Sequence, residues 1–141
     1  ARQGRDAGRM TPAERLIAAM RAQRLSWVVL EPAKDGRAEK RVQITRPPES
    51  AMPDFLVKTE DGGYTLKAEL RHVEAYTVGW EGITEADLVG PAGSSDPAAF
   101  APALWSVVVA DKLAWLQAVA TAILEAIVKH REALDADTKN S

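Results

Sequence analysis

Two histidines, His72 and His130, are the side chains best suited to proton transfer near neutral pH, and the chain holds only these two. They are separated by most of the sequence. His72-Val73-Glu74 would place an imidazole and a carboxylate on one face of a strand, but zinc asks for roughly three or four ligands, so an exposed strand pair is the expectation. His130 lies among Lys129, Arg131 and Glu132, read as a helix C-terminus, where the helix dipole favours a cation without any catalytic role. Cysteine is absent, which removes disulfides, thiolate nucleophiles and thiolate metal ligands together and suits a reducing compartment. No Gly-x-Ser-x-Gly elbow, P-loop or dinucleotide fingerprint occurs, and Gly62-Gly63 reads as a turn. Carboxylates are plentiful, yet no two stand in apolar surroundings that would separate their pKa values into an acid and a base. The expectation is a protein that is not an enzyme and uses no cofactor and no metal.

The chain of 141 residues, 46% hydrophobic and 27% charged, fits one globular domain. A formal net charge of −2 offers no general field for nucleic acid or an anionic membrane surface. Positive charge is concentrated at the start, where Arg2, Arg5, Arg9, Arg15, Arg21 and Arg24 outnumber Asp6 and Glu14. Without the basic-aromatic strand pattern that stacks bases, this reads as a solvated tail and helix face, and no nucleic acid partner is expected. The first twenty residues contain arginines and lack an apolar signal core, so the chain is expected to act in the cytoplasm where it is made. The apolar stretch 98–128 is split by Asp111 and Lys112 and falls short of the roughly 20 apolar residues of a membrane span, so no membrane association is expected.

Residues 1–10 form a polar, flexible basic lead-in. Thr11-Pro12-Ala13-Glu14 then combines a capping threonine, a proline suited to the first helical position and a glutamate able to close a capping box. A helix over about 12–24 follows, with Leu16, Ile17 and Met20 on one face. The β-branched and aromatic run 26–32 and the alternating run 41–48 flank an Asp35-Gly36 turn signal and predict a hairpin. Runs 55–59 and 63–70 meet across Glu60-Asp61-Gly62-Gly63 as a second hairpin, and residues 71–78 alternate weakly enough to read as one more strand. The fold class is α+β: an N-terminal helix, a small antiparallel sheet of about four strands, and a C-terminal helical half with one long apolar helix. Residues 11–141 form a single domain, with helix and sheet over 11–78 and the helical half over 79–141.

The two halves meet at Val78-Gly79-Trp80-Glu81-Gly82-Ile83-Thr84. Gly79 and Gly82 permit a sharp turn, Trp80 is a large anchor able to bury roughly 150–250 Å², and Thr84 can cap a short helix ended by Gly90-Pro91. Asp96-Pro97 reads as another helix start after a flexible connector, and from about 103 to 134 the chain is helical with a break near Asp111. Within that last helix Ala114, Ala118, Ala122 and Ala126 recur every four residues, a stripe that permits close approach of another backbone. Leu113, Leu116, Ile123, Leu124 and Ile127 occupy the adjoining faces, while Gln117, Thr121 and Glu125 form the one polar line. A helix apolar around most of its circumference needs cover on most sides. Leu113, Ala114, Leu116, Ala118, Ala122, Ile123, Ala126 and Ile127 are therefore the candidate protein-interaction residues, with Gly79, Trp80, Gly82 and Thr84 the structural joint.

Taken in order, the segments "TPAERLIAAMRAQRLSWVVLEP", "RVQITRPPESAMPDF", "VGWEGITEADLVG", "FAPALWSVVVADKLAWLQAVATAILEAI" and "KHREALDADTKN" resemble small tail-assembly proteins of Mu-like tailed bacteriophages. In those, a Trp-x-Gly-hydrophobic motif follows a variable β-containing half and precedes a Phe-led segment and a helix. The resemblance covers most of residues 11–140, with "AGSSDPAAFAP" a longer connector than many members carry. It implies a tail-assembly chaperone in the host bacterial cytoplasm, with the tape-measure and tail-tube proteins as partners and with self-association. Two rival readings of the residues are a virion structural subunit of the tail or head–tail connector, and a small host-directed regulator or inhibitor. If the alanine stripe is an interface, Ala118→Leu will lower oligomeric mass or client binding in light scattering and pull-down while leaving the β half folded.

Overall fold

The computed structural model describes residues 8–140; the basic lead-in expected over 1–10 lies mostly outside the described residues. Helix α1 (Pro12–Gln23) begins as the sequence prescribes: the Thr11 hydroxyl accepts the Glu14 N–H at 3.1 Å, and the Glu14 carboxylate faces the Thr11 N–H at 3.5 Å. Strands β1 (Leu25–Glu31) and β2 (Lys40–Thr45) form the expected antiparallel hairpin. Its turn places both Asp35 (φ 51°) and Gly36 (φ 77°) in the left-handed region, as a type I′ turn requires. A 3-10 turn over Glu49–Phe55 leads into β3 (Leu56–Lys58) and β4 (Tyr64–Leu66), which pair as a separate two-stranded hairpin instead of extending the main sheet.

The segment expected as a strand over 71–78 is instead helix α2 (Leu70–Tyr76) followed by β5 (Thr77–Glu81). Helical spacing decides the difference, because His72, Val73 and Tyr76 then share one inward face, with His72 and Val73 buried. β5 pairs antiparallel with β2, so the main sheet has the order β1-β2-β5 with β2 central. Helix α3 (Glu85–Val89) is capped by Thr84 and ended by Gly90 at φ 78°. Asp96-Pro97 does not start a helix. The chain there runs back along residues 83–86, with the Ala98 N–H on the Ile83 carbonyl at 2.9 Å and the Glu85 N–H on the Asp96 carbonyl at 3.0 Å. Helix α4 (Pro102–Ala110) and helix α5 (Leu113–Asn140) are separated at Asp111-Lys112, as expected.

The core forms on one face of the sheet. Val42 and Ile44 of β2 point inward to meet α4 and α5, where Trp105, Val108, Val109, Trp115, Val119, Ile123 and Ile127 are buried. Phe55, Val73, Trp80 and Ile83 close its other sides. Among the described residues, α5 over Leu113–Lys139 is the one helix long and apolar enough by length and composition to cross a membrane; here its buried stripe is the spine of this core. The opposite sheet face stays open: Trp27 and Val29 of β1 are 38% and 49% exposed, and Arg41 of β2 lies over the Trp27 ring at 4.1 Å. Truncating a spine residue, Ile123→Ala, is expected to cost about 2–5 kcal/mol in urea unfolding. Leu16→Ala on exposed α1 is expected to stay within about 0.5 kcal/mol.

Candidate interaction surface

Trp80 lies where the two halves touch. Its indole N–H donates to the Ala98 carbonyl at 2.7 Å, and its ring meets Phe100 and Trp105 edge-on at centroid separations of 5.3 and 6.2 Å. Gly82 has φ 81°, and a Cβ there would run into the Glu39 carbonyl oxygen, so glycine is required by both conformation and space. Gly79 makes no turn: it is an ordinary strand residue paired with Gln43, and a Cβ would meet nothing nearer than 4.0 Å. Thr84 and Asp87 close a reciprocal cap, with the Thr84 N–H and hydroxyl donating to the Asp87 carboxylate at 2.8 and 2.9 Å.

Asp87 also faces the buried Lys40 ammonium at 3.5 Å, while Glu31 takes the same ammonium at 3.2 Å. Lys40 is thus a buried cation held by two carboxylates, and Glu31 accepts the Trp115 indole N–H at 3.1 Å as well. Burial pushes the Asp87 carboxyl up, but the Thr84 donors and Lys40 together hold it below the usual carboxylate range. A cavity of about 410 Å³ opens beside this network between Arg37, Ile83, Ala86 and Pro97. Every charged group at its buried end already has a partner.

The histidines sit in unforeseen settings. His72 is buried, 2% exposed, and stacks on Phe55 at 4.0 Å. The Glu69 N–H donates to its Nδ1 at 2.9 Å, which leaves Nε2 to carry the proton and face the Asp54 carboxylate at 2.9 Å. Arg71 and then His72 hold the Asp54 carboxyl below its ordinary value. His72 is therefore a helix cap and core side chain, not half of an exposed strand pair. His130 is a mid-helix residue paired with Glu49 at 3.0 Å, not a helix terminus, because α5 continues to Asn140. Among the described residues no group of three or more His, Asp or Glu is placed to hold a metal ion.

The candidate interaction residues of α5 divide by face. Ile123 and Ile127 are buried in the chain's own core, 0% and 2% exposed, and Leu116 and Ala122 pack partly against it. Ala118 and Ala126 are half-buried along one flank, while Leu113 and Ala114 are exposed at the helix start. The larger uncovered apolar surface is elsewhere. None of the residues of α1 is buried, and Leu16, Ile17 and Met20 are 65%, 47% and 61% exposed. The sequence marked this face as amphipathic but gave no sign that the rest of the chain would leave it bare. The neighbouring β1 adds Leu25, Trp27 and Val29. Arg15, Arg21 and Arg24 make the rim of this surface basic.

No protein-family model matches the chain, and neither a curated protein nor a solved structure matches it. The geometry offers a surface more readily than a reacting centre.

The Asp87 network generates a pH prediction. A carboxyl whose folded-state pKa is depressed contributes stability that is present above its unfolded value, near 3.8, and lost as pH falls through the folded value. Asp87→Asn is therefore expected to lower stability by about 1 kcal/mol at pH 6, with the gap from the wild type closing below about pH 4. Urea midpoints at the two pH values check it.

Proposed function

We propose that this chain is a non-enzymatic assembly chaperone that shields an apolar, helical client until the client is incorporated elsewhere. The observation that carries this reading is α1: a fully capped amphipathic helix whose whole apolar face lacks cover. An isolated helix of about 12 residues is marginal in water, and each exposed Leu, Ile or Met forgoes roughly 1.5–3 kcal/mol of burial. A client helix laid against Leu16, Ile17 and Met20 recovers that burial, in the helix-in-groove manner. The arginines around the face would pair with carboxylates on the client's polar side.

The tail-assembly chaperone of Mu-like phages is the specific form we propose. The tape-measure protein would be the long apolar client and the tail-tube subunit the component recruited to it, both in the host bacterial cytoplasm. The order of the resembling segments supports this form, and so does the chemical match between an uncovered apolar helix and a long apolar client. Neither nucleic acid nor a membrane enters the reading.

Co-expression with the tape-measure protein of a Mu-like phage tests it. The wild type should keep that protein soluble and co-purify with it. The double substitution Leu16→Glu, Met20→Glu should reduce co-purification at least tenfold, with the thermal midpoint shifted by no more than about 2 °C, since neither residue is buried. A tape measure that stays equally insoluble with the wild type overturns the proposal. Mass spectrometry of purified particles separates a chaperone, which should be absent, from a virion subunit, which should be abundant.

A further inference from the structure

A groove of about 430 Å³ between the start of β1 and α5 collects positive charge from three elements. Arg24 ends α1, Arg46 follows β2 and Lys129 lies on α5, and all three line it. Arg24 and Arg46 oppose one another at the open end of the β1–β2 hairpin: the Arg46 N–H donates to the Arg24 carbonyl at 2.8 Å, continuing the register set by Leu25 and Thr45. Like charges directly opposite across strands are destabilising. Burial and then Arg24 lower the pKa of Arg46, with Glu49 offsetting part of that effect. The fold gives these cations little relief. Among the described residues none of the three forms an ion pair, and one Arg46 nitrogen donates to the Pro47 carbonyl at 3.0 Å. Glu49 is held by His130 at 3.0 Å, which leaves Glu125 as the carboxylate lining the groove.

A cation at Arg24 alone would need no explanation, since the C-terminal end of α1 favours one. That dipole does not account for a second guanidinium set against the first, nor for Lys129 on the far side of the groove. Ala122 and Ala126 leave the space between them open, and Ser26 adds a hydroxyl. The volume falls within the roughly 300–1,000 Å³ of small-ligand sites.

We propose that this groove binds the phosphate group of a small phosphorylated molecule, with Arg24 and Arg46 as paired forks, Lys129 as a facing point charge and the Ser26 hydroxyl as a neutral donor. Guanidinium forks match phosphate oxygens geometrically, and an ammonium adds charge without that constraint. A phosphate monoester is close to a dianion at neutral pH and has three terminal oxygens, so it can meet all three cations at once. A carboxylate, with a single charge and two oxygens, leaves part of the repulsion standing. A nucleic acid spreads one charge per phosphate along a strand and is held by an extended basic track, which a chain of net charge −2 does not supply. The body of the ligand would lie against Val28, Ala122 and Ala126, the apolar part of the lining. This inference requires no client and stands apart from the chaperone reading.

Isothermal titration at neutral pH with phenyl phosphate, and with benzoate as a monoanion of similar body, tests it. Phenyl phosphate should bind at least tenfold more tightly than benzoate, inorganic phosphate should compete with it, and the amide shifts it causes should centre on residues 24–28, 46 and 122–129. Arg46→Gln and Lys129→Gln should each weaken binding at least tenfold, while Glu125→Gln, which removes the competing anion, should tighten it. Arg24→Gln separates a ligand site from a structural one: it should weaken phenyl phosphate at least tenfold, yet leave the thermal midpoint of the free protein unchanged or higher, because the opposed charge is gone. No binding of phenyl phosphate at millimolar concentration, benzoate bound equally well, or affinity indifferent to Arg46→Gln and Lys129→Gln would each overturn the proposal. So would a free protein destabilised by Arg24→Gln, or capture of a phosphoserine peptide without any binding of phenyl phosphate.

Discussion

The packing of one helical stripe, Trp115, Val119, Ile123 and Ile127, beneath the inner face of a three-stranded sheet is the contact on which the rest of the molecule depends. A sheet this narrow has two apolar faces to settle and only one long helix with which to settle them. Because α5 covers the side carrying Val42 and Ile44, the other side and the whole of α1 are left to solvent or to something else. The unfinished surface is a consequence of topology. The chain has enough apolar residues for more cover, but it places them on α1, which leads away from its own core.

Buried polar groups pin this arrangement in register. Lys40 stands at the end of the inward row of β2, before Val42 and Ile44, and is tolerated because Glu31 and Asp87 both neutralise it. Those carboxylates are tied in turn to Trp115 on α5 and to the Thr84 cap on α3. One ammonium therefore links the hairpin, the joint and the long helix. The Trp80 indole does the corresponding work across the joint, fixing the Ala98 backbone to the sheet. Specificity of docking comes from such groups, while burial supplies the bulk of the driving force.

Much of this was legible in the residues. Thr11-Pro12-Ala13-Glu14 announced α1, Asp35-Gly36 announced the hairpin turn, and Asp111 announced the division between α4 and α5. The α+β class followed from those signals. Residues 71–78 alternate weakly like a strand, while their helix start is masked by an unusual cap: the His72 imidazole takes the place usually filled by Glu or Gln in a capping box. Asp96-Pro97 misled because a backbone bridge to Thr84 outweighs a local helix-start signal. The distribution of apolar surface was the least legible part. Periodicity shows that Ile123 and Leu16 each belong to an apolar face, but only the tertiary arrangement tells which face meets its own chain and which meets water.

The four tryptophans are divided in a way that has an optical consequence. Trp80, Trp105 and Trp115 are enclosed, while Trp27 stands on the open face under the Arg41 guanidinium. Trp80 and Trp105 are expected to emit from an apolar interior, and Trp115 from a buried site beside Lys112 and Glu31, so all three should change chiefly when the fold is lost. The fourth emits from the surface, next to a cation, and is the one a docking partner would touch. Blue-shifted and quencher-resistant light from the interior, and red-edge light accessible to a quencher from Trp27, give this chain separate intrinsic signals for unfolding and for association.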